Sequence, residues 1–86
     1  MSIHKALIER TDLSIKEGME TQFAQAMRER GVPLLMSVPG VQSVSFGRGV
    51  ENSGKFMLLV QWETMEAHEA YRQTPAAQAL RALIGP

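Results

Sequence analysis

The sequence predicts an α+β fold, and three observations carry that prediction. Segments with apolar residues at every second position alternate with segments whose apolar residues fall three and four apart, in the order strand, helix, strand, strand, helix. Turn chemistry at Glu51-Asn52-Ser53-Gly54 joins the second and third strands as a hairpin. The stretch Lys55 to Tyr71, KFMLLVQWETMEAHEAY, passes straight from strand to helix.

Ile3 to Ile15 reads as the first strand. Leu7, Leu13 and Ile15 share one parity, Ala6 and Ile8 the other. Glu9, Thr11 and Asp12 interrupt it, as a bend, an edge, a bulge or a polar lining. Lys16-Glu17-Gly18 turns the chain into a helix with Met19, Phe23, Ala26 and Met27 at helical spacing. Gly31 is a stop signal, and Pro33 either starts a further turn with Leu34 and Leu35 or kinks a longer helix. Val38-Pro39-Gly40 breaks the chain before a second strand, Val41 to Val50, with Val44 and Phe46 on one face and Ser43, Ser45 and Gly47 on the other.

The third strand carries Phe56, Leu58, Val60 and Trp62 on one face and Met57 and Leu59 on the other. Thr64 is an N-cap for a helix from about Met65 to residue 73. Thr74-Pro75 is a second cap-and-N1 signal, for a helix over 75–84 with Ala76, Ala79, Leu80, Leu83 and Ile84 as its buried stripe. The methionines Met19, Met27, Met36, Met57 and Met65 read as core filler.

This order is the front of the split βαβ, or ferredoxin-like, arrangement, β-α-β-β-α. A complete unit has one more strand. The sequence reaches Ile84-Gly85-Pro86 where that strand should begin, so either the fold manages without it or a C-terminal segment is missing. The second reading is preferred. An antiparallel sheet usually leaves one face to water. A third strand apolar on both faces needs cover on both, and the helices suffice for one. A second copy of the chain is the simplest cover for the other.

Eighty-six residues form one domain, 1–86, whose small core gains from oligomerisation. Lys plus Arg balance Asp plus Glu, nine against nine, with no basic block, which argues against nucleic acid or an anionic membrane as partner. The chain has no cysteine, which excludes disulfides, thiolate catalysis and cysteine-bound metals. No apolar run approaches the roughly 18 to 20 residues of a membrane span, and MSIHKALIERTDL lacks a signal-peptide pattern. A cytoplasmic protein is expected. Two histidines in separate elements have no metal-ligand spacing, so no metal site is expected. Gly47-Arg48-Gly49 leads into a hairpin rather than a helix, so it is no phosphate loop.

Three pieces together, DLSIKEG before an amphipathic helix, SVPGVQSVSFGRG, and LLVQWETMEAHEAYRQTPAAQALRALIGP, resemble the antibiotic biosynthesis monooxygenase domain of the dimeric α/β barrel superfamily. The resemblance covers nearly the whole chain. W-E-T-x-E-x-H followed by Thr-Pro and a helix discriminates best, because V-P-G-V also occurs in related stress-responsive barrel proteins. The resemblance implies a homodimer whose two sheets face each other as a barrel, with a pocket in each subunit between sheet and helices. It implies oxidation of a small aromatic or quinol-like ligand by molecular oxygen, without metal, haem or flavin. Haem-degrading relatives share the W-E segment but rely on an Asn, a second Trp and a His where this chain has Thr11, Tyr71 and Arg81. A guanidinium cannot ligate iron, so haem degradation is rejected unless His68 takes that role.

The catalytic candidates are Trp62, His68 and Tyr71. Trp62 offers an indole N–H to substrate or peroxide oxygen, against the competing role of a core residue satisfied by backbone. His68 is a candidate base, against a ring satisfied locally at a helix start. Tyr71 and Arg72, three and four residues further on, reach the same side of the helix. Tyr71 would donate a hydrogen bond or sit half-buried at an interface. Arg72 would stabilise an anion or stay solvated. Arg48 and Asn52 flank the hairpin turn and are substrate-binding candidates at a pocket mouth, against a loop-shaping role. His4 is read as exposed. Two other classes stay open: a dimeric small-ligand-binding module without chemistry, and a non-oxidative isomerase-like or decarboxylase-like enzyme.

Overall fold

A computed structural model of the protein describes residues 7–84. His4 and the predicted strand residues Ile3 to Ala6 lie outside the described residues. The order is β1 (Leu7–Ser14), α1 (Glu20–Ala26), a π-helical segment (Met27–Gly31), α2 (Val32–Met36), β2 (Val41–Arg48), β3 (Lys55–Trp62), α3 (Met65–Tyr71) and α4 (Pro75–Ile84). Among the described residues the sheet has three antiparallel strands in the order β1-β3-β2. This is the ferredoxin-like arrangement that the order of elements predicts.

Strand parity decides what each face meets. On β3, Phe56, Leu58, Val60 and Trp62 are buried under the helices with Leu13 of β1. Val44 and Phe46 of β2 pack against the same core. The β1–β3 register is unbroken from Leu7↔Trp62 to Ser14↔Lys55. Glu9 and Thr11 therefore mark no bulge. They share parity with Leu13 and face the helices, whereas Asp12 lies on the open face, paired with Arg10 at 3.2 Å. The one register shift is between Val41 and Ser43 on β2.

The open face is less greasy than the sequence suggests. Met57 is 38% exposed, Leu59 half-buried and Ile8 exposed, but among them lie Arg10, Asp12, Ser45 and Gln61. Four of the five methionines read as filler are also outside the core: only Met27 is buried, while Met19, Met36, Met57 and Met65 are exposed. Amphipathic helix positions and a flexible thioether tolerate both environments, so residue type alone misplaces them.

Gly31 does not end the first helix. Backbone angles stay helical through Gly31 (φ −68°, ψ −52°) and Val32, and α1, the π segment and α2 form one continuous helix. The physical reason is Pro33, whose ring would collide with the carbonyl four residues back in a regular α-helix. Val32 N–H instead reaches Met27 O, five residues back, and the wider π turn makes room. A Cβ on Gly31 would lie 2.7 Å from Met27 Sδ, so the missing side chain lets Met27 fold over this turn. Strand β2 stops at Arg48 rather than Val50 because Gly49 N–H donates to Lys55 O at 2.7 Å and closes the hairpin.

The last two helices start where the caps predict. Thr64 Oγ1 accepts from Ala67 N–H at 3.0 Å, and Thr74 Oγ1 accepts from Ala77 N–H at 3.3 Å while donating to Tyr71 O at 2.6 Å. Gly40 fixes α3 against the sheet. It has φ +89°, and a Cβ there would meet Ala67 Cβ at 2.4 Å, so only glycine serves both conformation and contact. Its carbonyl accepts from Glu63 N–H at 2.7 Å, tying the end of β3 to the same turn.

Candidate functional site

Glu9 is the hub of the site. It pairs with Val60 in the sheet, which makes Trp62, two residues on and on the same face, its diagonal neighbour within reach of a long side chain. Trp62 Nε1–H donates to Glu9 Oε1 at 3.2 Å. His68 Nε2 lies 3.2 Å from Glu9 Oε2. The carboxylate thus engages the indole with one oxygen and the imidazole with the other. An ionised carboxylate only accepts, so His68 Nε2–H is the donor in this contact. Trp62 is 2% exposed. The His68 and Glu9 side chains are 19% and 39% exposed.

Rings complete the cluster. Trp62 meets His68 edge-on, centroids 5.2 Å apart, and Tyr71 at a tilt, centroids 5.3 Å apart. Tyr71 is buried. Desolvation pushes its hydroxyl pKa up, the nearby charge of Glu9 pushes the same way, and Arg81 opposes them. Tyr71 is therefore a neutral hydrogen-bond donor at physiological pH.

Glu9 stands between two hollows. An inner cavity of about 190 Å³ between sheet and helices has Leu35, Leu58, Val60 and Leu80 as apolar lining and Glu9, Thr11, Tyr71, Arg72 and Arg81 as polar groups. An outer cavity of about 220 Å³ at the sheet's end is lined by Leu7, Ile8, Glu9, Trp62, Met65 and His68. Only Glu9 belongs to both. A larger hollow of about 380 Å³ includes Asp12, Arg48, Lys55, Met57 and Leu59, but its charged groups are engaged locally. Asp12 pairs with Arg10, Arg48 Nε donates to Ser53 O at 2.6 Å, and Lys55 bonds Ser14.

The structure brings Trp62, His68 and Tyr71 together and leaves Arg48 and Asn52 apart. Trp62 closes one end of β3, whereas Arg48 lies opposite Phe56 near the other end. Trp62 is six residue steps along the strand from Phe56, about 20 Å at ~3.3 Å per residue. Arg48 Cζ stacks 5.5 Å from the Phe56 centroid. Asn52 Oδ1 accepts from Gly54 N–H at 3.1 Å. Both shape the hairpin. Arg72 is exposed yet lines the inner cavity. The indole N–H of Trp62, expected to meet substrate or backbone, meets a carboxylate. His68, expected as a base in the pocket, is separated from the inner cavity by Glu9. Glu9 and Thr11 take the polar-lining alternative that the sequence offers; what sequence reasoning lacks is the pairing of Glu9 with Trp62 and His68 and the place of Arg81 on the same cavity.

Among the described residues no group of three His, Cys, Asp or Glu is placed to hold a metal ion. No helix among them is long and apolar enough to cross a membrane.

Comparison with known proteins fixes the family. The sequence pattern of antibiotic biosynthesis monooxygenases matches residues 7–83. The chain belongs to the antibiotic biosynthesis monooxygenase family. It is 37% identical over 73 residues to the uncharacterized protein YczJ of Bacillus subtilis (strain 168), covering 84% of this chain and 76% of that one. A crystal structure from Bordetella bronchiseptica that bears the antibiotic biosynthesis monooxygenase name superposes with a TM-score of 0.80 at 29% identity, over 91% of this chain and 80% of that one. A protein of the same name from Nitrosomonas europaea shares the fold, with a TM-score of 0.78 at 17% identity over 90% and 73%.

Proposed function

We propose that this family member is a cofactor-independent monooxygenase that oxidises a small aromatic or quinol-like substrate with molecular oxygen in the inner cavity. The observation that carries the reading is the Glu9 carboxylate, held between Trp62 and His68 and lining the same cavity as the Tyr71 hydroxyl. Glu9 takes the hydroxyl proton of the substrate. Tyr71 donates a hydrogen bond to the oxyanion so formed. His68 and Trp62 act through Glu9 as positioning residues, fixing its orientation and sharing its charge.

The reaction closes without an external reductant. Hydroquinone plus O₂ gives hydroxyquinone plus water. The ring gives up four electrons, one oxygen atom forms a new bond to a ring carbon, and the O–O bond breaks to release the other as water. Two hydroxyl protons and one ring C–H proton leave the ring. Two end in water and one on the new hydroxyl. An electron-rich anion is the form that reacts with oxygen, so a positioned base and an oxyanion donor are what the protein must supply. A base and donor on one cavity also suit proton-transfer isomerisation, and oxygen consumption separates the two.

The proposal includes a homodimer in which two open sheet faces meet. Met57, Leu59 and Ile8, apolar on a face they share with Arg10, Asp12, Ser45 and Gln61, support it. A cytoplasmic location goes with this reading. The deciding experiment follows oxygen uptake with hydroquinone and identifies the product by mass spectrometry, for the parent protein and for Glu9→Gln. Uptake that depends on Glu9, with one oxygen atom from ¹⁸O₂ in the product, supports the assignment. Hydroquinone consumed no faster than in buffer overturns it. A monomer by sedimentation at micromolar concentration overturns the dimer.

A further inference from the structure

We propose that the inner cavity selects a single-ring aromatic bearing one carboxylate, with the anion held by Arg72 and Arg81 at the α3–α4 wall. The inference deepens the functional reading of the same site and rests on it for the identity of the ring's hydroxyl chemistry, but not for binding.

Size limits the ring system. A cavity of about 190 Å³ compares with the roughly 150 Å³ apolar cavity known to take up benzene, and it lies below the ~300 Å³ at which pockets begin to suit drug-sized ligands. One ring with a small substituent fits; a fused three-ring system does not. The lining is divided to match. Leu35, Leu58, Val60 and Leu80 present hydrocarbon to a ring face, while the polar groups gather on β1 and the α3–α4 wall.

Charge decides the substituent. Two arginines, Arg72 and Arg81, and one acidic residue, Glu9, line the cavity. Glu9 already has its partners in His68 and Trp62. Among the described residues neither Arg72 nor Arg81 makes an ion pair. Positive charge is left over on one wall, where Arg81 and Tyr71 line the same cavity and Arg81 opposes the rise of the Tyr71 hydroxyl pKa. Guanidinium groups bind carboxylates through two parallel hydrogen bonds. A carboxylate on that wall directs the rest of the ring towards Tyr71 and Glu9.

The test uses an isosteric pair that differs only in charge, 4-hydroxybenzoate and 4-hydroxybenzamide, titrated against the ¹⁵N-labelled protein. We expect the acid to bind roughly tenfold tighter or more than the amide, with the largest amide shifts around Tyr71 and Arg81. Arg72→Gln and Arg81→Gln should each reduce the preference, and the double variant should abolish it. Both arginines are exposed, so folding should survive. Arg10→Gln on the open face should leave it unchanged. Equal affinity for acid and amide, no binding of either at millimolar concentration, or a preference that survives in the double variant would each overturn the inference. Oxygen uptake with 2,5-dihydroxybenzoate and hydroquinone separates it from the functional proposal. Turnover without preference for the acid sinks this inference alone, whereas charge-selective binding without turnover of either sinks the monooxygenase reading alone.

Discussion

Two aromatic clusters sit on the same face of one sheet, and they differ in what their rings carry at the tip. At the hairpin end Phe23, Phe46 and Phe56 meet with centroids 5.1 to 5.9 Å apart. At the other end Trp62, Tyr71 and His68 meet at nearly the same spacing, 5.2 to 5.3 Å. The phenylalanines end in hydrogen, and their cluster contributes area and shape. The second cluster ends in an indole N–H, a phenol and an imidazole, two of which bond one carboxylate. Equal packing thus coexists with unequal chemistry. Burial locates both clusters, and only the polar tips mark one of them as a candidate site.

The largest expected effect belongs to the hydrocarbon cluster. Phe56→Ala removes a ring in contact with two others and should destabilise the fold by about 3–5 kcal/mol. Urea denaturation of the two ends measures the contrast. Trp62→Phe keeps most of the buried hydrocarbon and loses one hydrogen bond to a part-exposed carboxylate, about 1 kcal/mol. If Trp62→Phe proved as damaging as Phe56→Ala, the indole would be a packing residue and the distinction between the clusters would fail.

Next in size is Glu9. Glu9→Leu leaves the buried Trp62 N–H and one His68 nitrogen without their acceptor, and should destabilise by about 1–3 kcal/mol. Glu9→Gln keeps an acceptor and should fold with near-parent stability while lowering oxygen uptake by about 10²- to 10⁴-fold. His68→Gln can still donate to Glu9, so it should retain more activity than His68→Ala. Equal loss in both would mean that the imidazole itself handles the proton.

Much of this was legible in sequence. Periodicity and caps fix the order of elements because each signal is local: Thr64 and Thr74 cap the helices their positions predict. At Gly31 and Pro33 the sequence offers a stop with a further turn or a kinked longer helix, and the structure takes the longer helix, with Gly31 and Leu35 buried along it. Glu9 reads in sequence as a bend, an edge, a bulge or a polar lining, and the unbroken register and the cavity select the lining. Its parity with Leu7 and Leu13 was visible, and a carboxylate on a buried face needs donors. Which donors was not visible, because the register that sets Glu9 diagonal to Trp62 is a tertiary fact. The leftover charge of Arg81 was hidden for the same reason.

A smaller effect should appear only in alkali. Burial holds the Tyr71 hydroxyl protonated in the folded protein above its ordinary pKa of 10.0, with Glu9 adding to the shift. Below pH 10 both folded and unfolded forms keep the proton and the residue adds no pH dependence. Above pH 10 the unfolded chain loses it first, so stability falls as pH rises towards the folded-state value. Tyr71→Phe should flatten that fall, read as the difference in denaturation midpoint between pH 9 and pH 11. The parent and Tyr71→Phe losing stability in parallel would mean that the hydroxyl is not desolvated, and the two clusters would then be alike at this tip.

The smallest effect tests the hairpin end from its rim. Arg48 stacks on Phe56 and donates to Ser53 O, and both contacts lie at an exposed position. Exposed cation–π contacts contribute about 0.5–1 kcal/mol, so Arg48→Gln should lower stability by no more than that. Asn52→Ala, which loses the bond to Gly54 N–H, should cost a similar amount. Neither should alter binding of 4-hydroxybenzoate, because neither Arg48 nor Asn52 lines the inner cavity. A guanidinium is chemically the same group in Arg48 and in Arg81. What separates them is the neighbour: a phenylalanine face and a backbone carbonyl absorb one, while the other borders a neutral phenol in a cavity with positive charge to spare. Weakened acid binding in Arg48→Gln would mean that ligand reaches the hairpin, and the site would have to be redrawn along the whole strand.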